Sequence, residues 1–172
     1  MSPQSHSLTT SPTGAYLWSS WAILGKEKRV WFGGDTGYMS VPRNVSREEE
    51  IASALKGDLP TCPAFAEIGD HLGPFDLSLI PIGAYEPRFF MSPVHMNPWD
   101  AVRVHRHVKS KKSIGCHWGA WVLTEEPIDE PPRRLVEEAE ALGLQKDEFI
   151  TIPIGSTLHT NQGVQDAADD DV

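Results

Sequence analysis

The chain has 172 residues, 40% of them hydrophobic, so it is long and apolar enough for one domain with its own core. Its formal net charge of −9 argues against a nucleic-acid partner, because phosphate contacts need clustered Lys and Arg. No apolar run approaches the ~20 residues of a membrane span, and residues 1–14 lack a signal-peptide pattern. Cys62 and Cys116 show no framework spacing and are interpreted as free thiols, with one disulfide as the alternative. We therefore expect an intracellular protein, cytoplasmic or peripherally attached to an organelle membrane.

The first half of the chain predicts a hairpin followed by two helices. Apolar strands at 17–24 and 29–32 flank a polar turn, and the first strand has no predicted partner before it. A Ser-x-x-Glu capping box at 46–49 begins a helix that Gly57 ends. A second short helix is expected at 63–72.

The second half begins with the clearest buried strand, at 75–82. A long loop at 83–96, rich in Pro, Phe and Tyr, separates it from a helix at 97–111 that Asn-Pro begins. The remaining predicted elements are a strand ending at His117, a helix at 131–143 and a strand at 149–154.

Strands that alternate with helices indicate an α/β or mixed α+β class, with helices packed on a sheet. Residues 1–16 are expected to be irregular, and 17–158 to form a single domain. The polar, Asp-rich end at 159–172 is expected to be a disordered acidic tail.

Asp35 and His117 are the strongest candidates for a functional site. Asp35 lies in a glycine-flanked turn after an aromatic strand, and His117 ends a second short strand. A carboxylate and an imidazole held at two strand ends suit a divalent metal such as zinc. A turn aspartate and a core histidine would show the same local patterns. Two ligands are also too few, so others come from elsewhere or the chain is part of a larger enzyme.

Other histidines are weaker candidates. His95 lies in the long loop, where it suits acid–base chemistry or substrate contact, and an ordinary surface histidine is the alternative. His105 and His107 form an H-x-H pair, but inside a helix these positions point to different sides. We expect His105 to be buried, His107 to be exposed, and neither to bind a metal.

Tyr85, Glu86 and Arg88 follow the buried strand at its carboxyl end, where α/β sheets usually place ligands. They are therefore candidate substrate-binding residues. A packed loop with an internal Glu–Arg pair is the alternative.

Five motifs together resemble one family, N-acylphosphatidylethanolamine-hydrolysing phospholipase D, over roughly residues 17–155. They match its C-terminal half in order: Gly-Asp-Thr-Gly-Tyr at 34–38, Cys-Pro-Ala-Phe at 62–65, Gly-Pro-Phe-Asp-Leu at 73–77, Pro-Ile-Gly-Ala-Tyr-Glu-Pro-Arg at 81–88 and His-Trp-Gly at 117–119.

The resemblance implies half of a metallo-β-lactamase αβ/βα sandwich and a two-zinc phosphodiesterase. Such an enzyme releases an N-acylethanolamine and phosphatidic acid from a phospholipid at a membrane surface, and a homodimer is a possible assembly. On this resemblance Asp35 matches a metal-bridging, catalytic aspartate, His117 a metal ligand and His95 a catalytic histidine at the mouth of the site.

The sequence departs from this family in three places. The H-x-H-x-D-H metal motif is absent, and His6 matches the other histidine ligand only with altered spacing. Residues 39–61 are interpreted as an insertion. We therefore expect a truncated enzyme with weak or no activity alone. The alternatives are a non-catalytic binding remnant and another hydrolase of the same fold.

Overall fold

The computed structural model describes the backbone of residues 4–9 and all atoms of residues 19–159. The described residues form one mixed sheet whose six strands neighbour one another in chain order. The strands are β1 (Gln4–Thr9), β2 (Ser19–Leu24), β3 (Arg29–Phe32), β4 (Leu77–Pro81), β5 (Ser113–Cys116) and β6 (Phe149–Ile150). The first three pair antiparallel, whereas β3 to β6 pair parallel.

Helices form the parallel crossovers between these strands, as the α/β pattern predicts. They are α1 (Arg47–Lys56), α2 (Ala64–His71), α3 (Arg88–Met91), α4 (Pro98–His107) and α5 (Glu130–Ala141). The predicted capping box of α1 is confirmed, since Ser46 accepts from the Glu49 N–H group. Gly57 ends that helix in the left-handed region, at φ 79°.

Several predicted boundaries were wrong. Gln4–Thr9 form a strand instead of an irregular segment, and this strand covers the edge of β2 that lacked a predicted partner. The loop at 83–96 contains the short helix α3. Helix α4 ends at His107 instead of 111, because Lys109 adopts a left-handed conformation, and β6 stops after two residues. Residues 1–3, 10–18 and 160–172 lie outside the described part, so the predictions there stay predictions.

Helix α4 is the centre of the core. It packs against α2, α5 and β4, and the side chains of Ala101, Val102 and Val104 are fully buried. The contact with α2 is so close that a Cβ atom on Gly69 would lie 1.9 Å from the backbone oxygen of His107. A glycine is therefore required for these two helices to pack at this distance.

The opposite face of the sheet carries no helix among the described elements. Paired residues on neighbouring strands share a face, so Trp21 on β2, Phe32 on β3 and Leu79 on β4 form one apolar row. Trp21 is 43% exposed and Phe32 41% exposed, whereas Leu79 is half-buried. We call this surface the open face.

We expect the open face to drive self-association of the chain, because contiguous exposed apolar surface is unusual for soluble monomers. Replacing Trp21 and Phe32 together by Thr keeps β propensity and should lower the apparent mass in size-exclusion chromatography at low micromolar concentration. The control is Val136→Ser on α5, where the side chain is 57% exposed. A sharp monomer peak for the unmodified chain would contradict this expectation.

Candidate active site

The candidate site lies at the carboxyl ends of the parallel strands. Asp35 lies in a turn that follows β3. At the start of this turn the Gly33 N–H group donates a hydrogen bond to the Leu79 carbonyl of β4, at 2.9 Å. Gly37 packs this turn against the loop before His95, since a Cβ atom there would meet backbone atoms of Ser92 and Pro93 at about 2.4 Å. The aspartate is therefore presented at a defined edge of the sheet, with its side chain 55% exposed.

His117 lies opposite Asp35, immediately after β5. Its Nε2 atom is 3.3 Å from Asp35 Oδ1, although 82 positions separate the two residues in the chain (117 minus 35). The His117 backbone adopts φ 59°, a region that non-glycine residues visit rarely and often at functional sites. The sequence predicted that these two side chains converge, and they do; their role as metal ligands stays a prediction.

His95 completes a cluster of three side chains. Its ring stacks on that of His117, with centroids 5.1 Å apart and planes 23° from parallel. Burial, and then the neighbouring His117, lower the pKa of His95 below its usual value, against the opposing charges of Asp35 and Glu126. The neutral form of the imidazole is therefore favoured, and the role of His95 at the mouth of the site stays a prediction.

The described residues do not complete a zinc site. A catalytic zinc needs three protein ligands, and among residues 19–159 no group of three or more His, Cys, Asp and Glu side chains is placed to hold a metal. Burial, and then the charge of Asp35, raise the pKa of Cys116 to about 11, so without a metal its thiol is protonated at neutral pH. Asp35 and His117 offer an oxygen and a nitrogen donor, which suit zinc in type but not in number.

His6 is the remaining candidate for a third ligand, and the structure describes its backbone alone. His6 in β1 pairs with Ala22 of β2, and Ala22 in turn pairs with Trp31 of β3. Asp35 lies four positions beyond Trp31, at the edge of the sheet. Four residues of extended strand span about 13 Å, so the backbone of His6 lies level with the middle of the strands, and its role as a metal ligand stays a prediction.

The predicted burial of His105 is confirmed. His105 is buried, stacks on Phe149 and shares a 2.8 Å hydrogen bond with the Ser113 hydroxyl. The expected exposure of His107 was wrong. Its ring is half-buried against Tyr38, with centroids 5.7 Å apart, because α2 covers this side of α4.

A buried glutamate that the sequence did not reveal supports the wall of the site. The Glu126 carboxylate accepts hydrogen bonds from the backbone N–H groups of Ala84, Tyr85 and Glu86, at 2.7 to 3.2 Å. It also accepts from the Thr124 hydroxyl at 2.8 Å. In the sequence Glu126 is one of two consecutive acids, a pattern typical of solvated surface, and its partners lie about 40 positions earlier.

Tyr85 and Arg88 do not face the site as predicted. Tyr85 is fully buried, and its hydroxyl donates to Glu130 at 2.6 Å. Arg88 donates to Glu50 and to Asp100, both at 2.7 Å, with only 10% of its side chain exposed. The Tyr85 hydroxyl and the Nε and Nη2 groups of Arg88 are thus already engaged inside the protein, and a substrate would have to compete with these buried partners. This arrangement corrects the substrate-binding prediction for both residues.

The predicted role of Glu86 in substrate binding stays a prediction. Its carboxylate accepts from the Arg88 N–H group at 3.1 Å, and burial raises its pKa. It lines a hollow shared with Arg47, Arg88 and Arg134 instead of the space beside His117.

The predicted insertion, 39–61, begins and ends at one place. Met39 and Thr61 form an isolated antiparallel bridge, and the Cys62 N–H group donates to the Tyr38 carbonyl at 2.8 Å. The segment therefore starts and ends at one place beside the Asp35 turn, and its Met39, Val41 and Ala54 side chains are buried in the core. Glu50 within it reaches Arg88, so the segment also packs beside the loop that precedes the site.

A cleft opens beside His117, and we call it the His117 cleft. Residues 117–124 line one side of it. The other sides are lined in part by Gly83, Ala84, Glu126 and Pro131. A separate apolar groove lies between the start of β2 and α2, lined in part by Phe65, Ile68 and Leu72. Of these two cavities in the described part of the chain, the His117 cleft contains a residue of the cluster formed by Asp35, His95 and His117.

Comparison with known proteins places this architecture in a family. A model of the β-lactamase superfamily domain matches residues 54–118. The solved structure of Igni18, a metallo hydrolase from Ignicoccus hospitalis, superposes with a TM-score of 0.55 at 16% identity, over 92% of this chain and 57% of that one. The fold is therefore part of a metallo-β-lactamase fold, as the sequence predicted.

Two curated relatives narrow the family further. N-acyl-phosphatidylethanolamine-hydrolyzing phospholipase D 1 of Caenorhabditis elegans is 42% identical over 141 residues, which are 81% of this chain and 33% of the worm protein. The resemblance of this chain to the N-acyl-phosphatidylethanolamine-hydrolysing phospholipases D is therefore confirmed. The mitochondrial member of Saccharomyces cerevisiae is 28% identical over 86% of this chain and 30% of the yeast protein. The chain thus spans about a third of the length of the curated relatives it matches.

The stability of the protein should depend on His105 between pH 6.5 and 4. Burial lowers the pKa of His105 to about 4, so in this range the unfolded chain binds a proton that the folded chain does not. Above pH 6.5 the protonation of His105 therefore does not lower the free energy of unfolding. Below pH 6.5 this free energy decreases as the pH drops, by about 3 kcal/mol at most. His105→Gln should flatten this decline in urea unfolding measured at pH 7 and 4.5. Groups such as Asp100 titrate in both proteins and cancel in the comparison.

The control for this experiment is His71→Gln, since His71 is exposed on α2. It should leave the decline unchanged. An equal decline in His105→Gln and the unmodified chain would show that His105 is not the source.

Glu126→Gln should loosen the loop that carries Ala84, Tyr85 and Glu86. The amide replaces one acceptor oxygen with a donor, which leaves a buried N–H group unpaired and costs about 1–3 kcal/mol of unfolding free energy. Hydrogen exchange of the amides at 84–86 should accelerate. Glu125→Gln is the matched control, because Glu125 is exposed, and its effect should stay within about 0.5 kcal/mol. Equal effects of the two substitutions would show that Glu126 does not stabilise this loop.

Proposed function

We propose that this chain supplies part of the active site of a zinc-dependent phosphodiesterase that acts on N-acylated phospholipids. The products would be an N-acylethanolamine and phosphatidic acid. The observation that carries the proposal is the 3.3 Å approach of Asp35 and His117 at one edge of the sheet, with His95 stacked on His117. The relationship to the worm and yeast phospholipases supports this choice of substrate.

Zinc is proposed from the type of donor, one carboxylate oxygen and one imidazole nitrogen. A bound metal would lower the pKa of water and supply hydroxide at neutral pH. Since the described residues provide two donors where three are needed, the remaining ligands must come from outside residues 19–159.

The chain's own residues position the substrate in this proposal. The His95 imidazole can donate from one nitrogen and accept at the other, which suits a phosphate oxygen or a water molecule held beside His117. Its Nδ1 atom is buried and has no hydrogen-bond partner within the described part of the chain. The turn at Asp35 and the left-handed backbone of His117 hold the other two side chains toward the same space.

Attachment at the membrane surface is proposed to be peripheral. None of the helices that the structure describes combines the length and the apolar run of a membrane-spanning segment. A lipid substrate would therefore have to be reached from the surface of the bilayer.

A chimera tests the proposed function. The 141-residue matched segment of the Caenorhabditis elegans protein would be replaced by the corresponding segment of this chain. We expect the folded chimera to release N-acylethanolamine from detergent-dispersed N-acylphosphatidylethanolamine, and Asp35→Asn or His117→Gln to lower the rate by about 100-fold or more. Asp70→Asn, which alters an aspartate whose side chain is 65% exposed, is the control. A folded chimera without activity would favour the non-catalytic alternative.

The chain by itself should bind zinc weakly and turn over little substrate, because two donors do not hold a catalytic metal. Zinc affinity measured by competition with a chelating dye should fall further in Asp35→Asn. Robust hydrolysis by the chain alone, abolished by that substitution, would show that the described residues are sufficient after all.

A further inference from the structure

Three consecutive apolar side chains project from the wall of the His117 cleft. Trp121 is 78% exposed, Val122 74% and Leu123 75%. Together with Ile154, at 75%, they have the highest exposed fractions among the large hydrophobic residues that the structure describes. We call this segment, 121–123, the apolar tip.

Hydrogen bonds hold the apolar tip on both sides. Before it, the Trp118 indole donates to the Gly115 carbonyl of β5 at 3.1 Å. After it, the Thr124 hydroxyl donates to the buried Glu126 carboxylate, which is bound to the backbone of residues 84–86. Hydrogen bonds thus fix the loop on both sides of the tip, while its three side chains remain exposed to solvent.

The apolar tip is continuous with the candidate site. Trp121, Val122 and Leu123 line the same cleft as His117, whose Nε2 atom is 3.3 Å from Asp35. A surface that met this tip would therefore lie at the mouth of the site.

We propose that the apolar tip docks the protein on a lipid bilayer with uncharged or zwitterionic headgroups, and this inference rests on the proposed function. Tryptophan suits the boundary of a bilayer, where its ring is apolar and its N–H group meets water. Acidic Glu125 and Asp129 follow the tip, and the chain carries a net charge of −9, so the tip would attach by apolar contact and not by attraction to a strongly anionic surface.

The size of the tip also selects a bilayer over a protein partner. A stable protein interface takes about 20–30 residues from each side, whereas the tip offers three side chains. Three apolar side chains are sufficient for reversible attachment to a bilayer, since each buries apolar area that water otherwise contacts.

The test is tryptophan quenching by phosphatidylcholine vesicles with brominated acyl chains, in chelator-containing buffer. The unmodified chain should be quenched, and Trp121→Phe should still bind vesicles but lose most of the quenching. Trp21→Phe is the matched control on the open face and should keep it. In vesicle sedimentation, Trp121→Ala should lower partitioning about tenfold. Leu55→Ser, at a side chain that is 66% exposed on α1, should leave partitioning unchanged.

Three outcomes would overturn the proposal. The first is no binding to phosphatidylcholine vesicles. The second is quenching that survives Trp121→Phe but disappears in Trp21→Phe, which would make the open face the lipid contact. The third is a fall in apparent mass caused by Trp121→Ala in size-exclusion chromatography, which would make the tip a contact with a second copy of the chain.

Docking and hydrolysis are separable in this design. Vesicle binding is measured without metal and without turnover, so an inactive chimera would refute the proposed function and leave the docking result intact. Conversely, an active chimera whose Trp121→Ala variant binds vesicles normally would refute the docking proposal alone.

Discussion

The parallel pairing of β3, β4 and β5 is the constraint on which the candidate site depends. Parallel strands end at the same edge of a sheet, so the turn after β3 and the residue after β5 meet although they are far apart in the chain. The connection after β4 runs past the same edge and brings His95 onto His117. The parallel pairing thereby brings three side chains from three connections to one edge of the sheet.

Buried charges then hold these connections in place. Glu126 binds three N–H groups of the segment after β4, and Arg88 joins that segment to Glu50 of α1 and Asp100 of α4. Burial raises the pKa of Asp100 to about 6, against the opposing charge of Arg88, which shows how costly it is to keep this carboxylate ionised. Such groups specify one arrangement of the loops, because any other leaves a buried charge unpaired.

The two faces of the sheet differ in a way that affects function. Helix α4 and its neighbours cover one face, whereas Trp21 and Phe32 remain partly exposed on the other. The apolar tip is a third apolar surface, but it belongs to a loop at the cleft and not to the sheet. We therefore expect the open face to contact a second copy of the chain and the tip to contact a bilayer. Of these two surfaces, the tip adjoins the cluster of Asp35, His95 and His117.

Local patterns in the sequence determined the elements and the strongest site residues. The capping box of α1, the strand–turn pattern at Asp35 and the strand ending at His117 depend on near neighbours, so short-range chemistry was enough to predict them. The roles of Tyr85, Arg88 and Glu126 were decided by tertiary structure. Their partners lie 12 to 45 positions away, and whether a charged or aromatic side chain faces solvent or a buried partner depends on which strands and helices pack together.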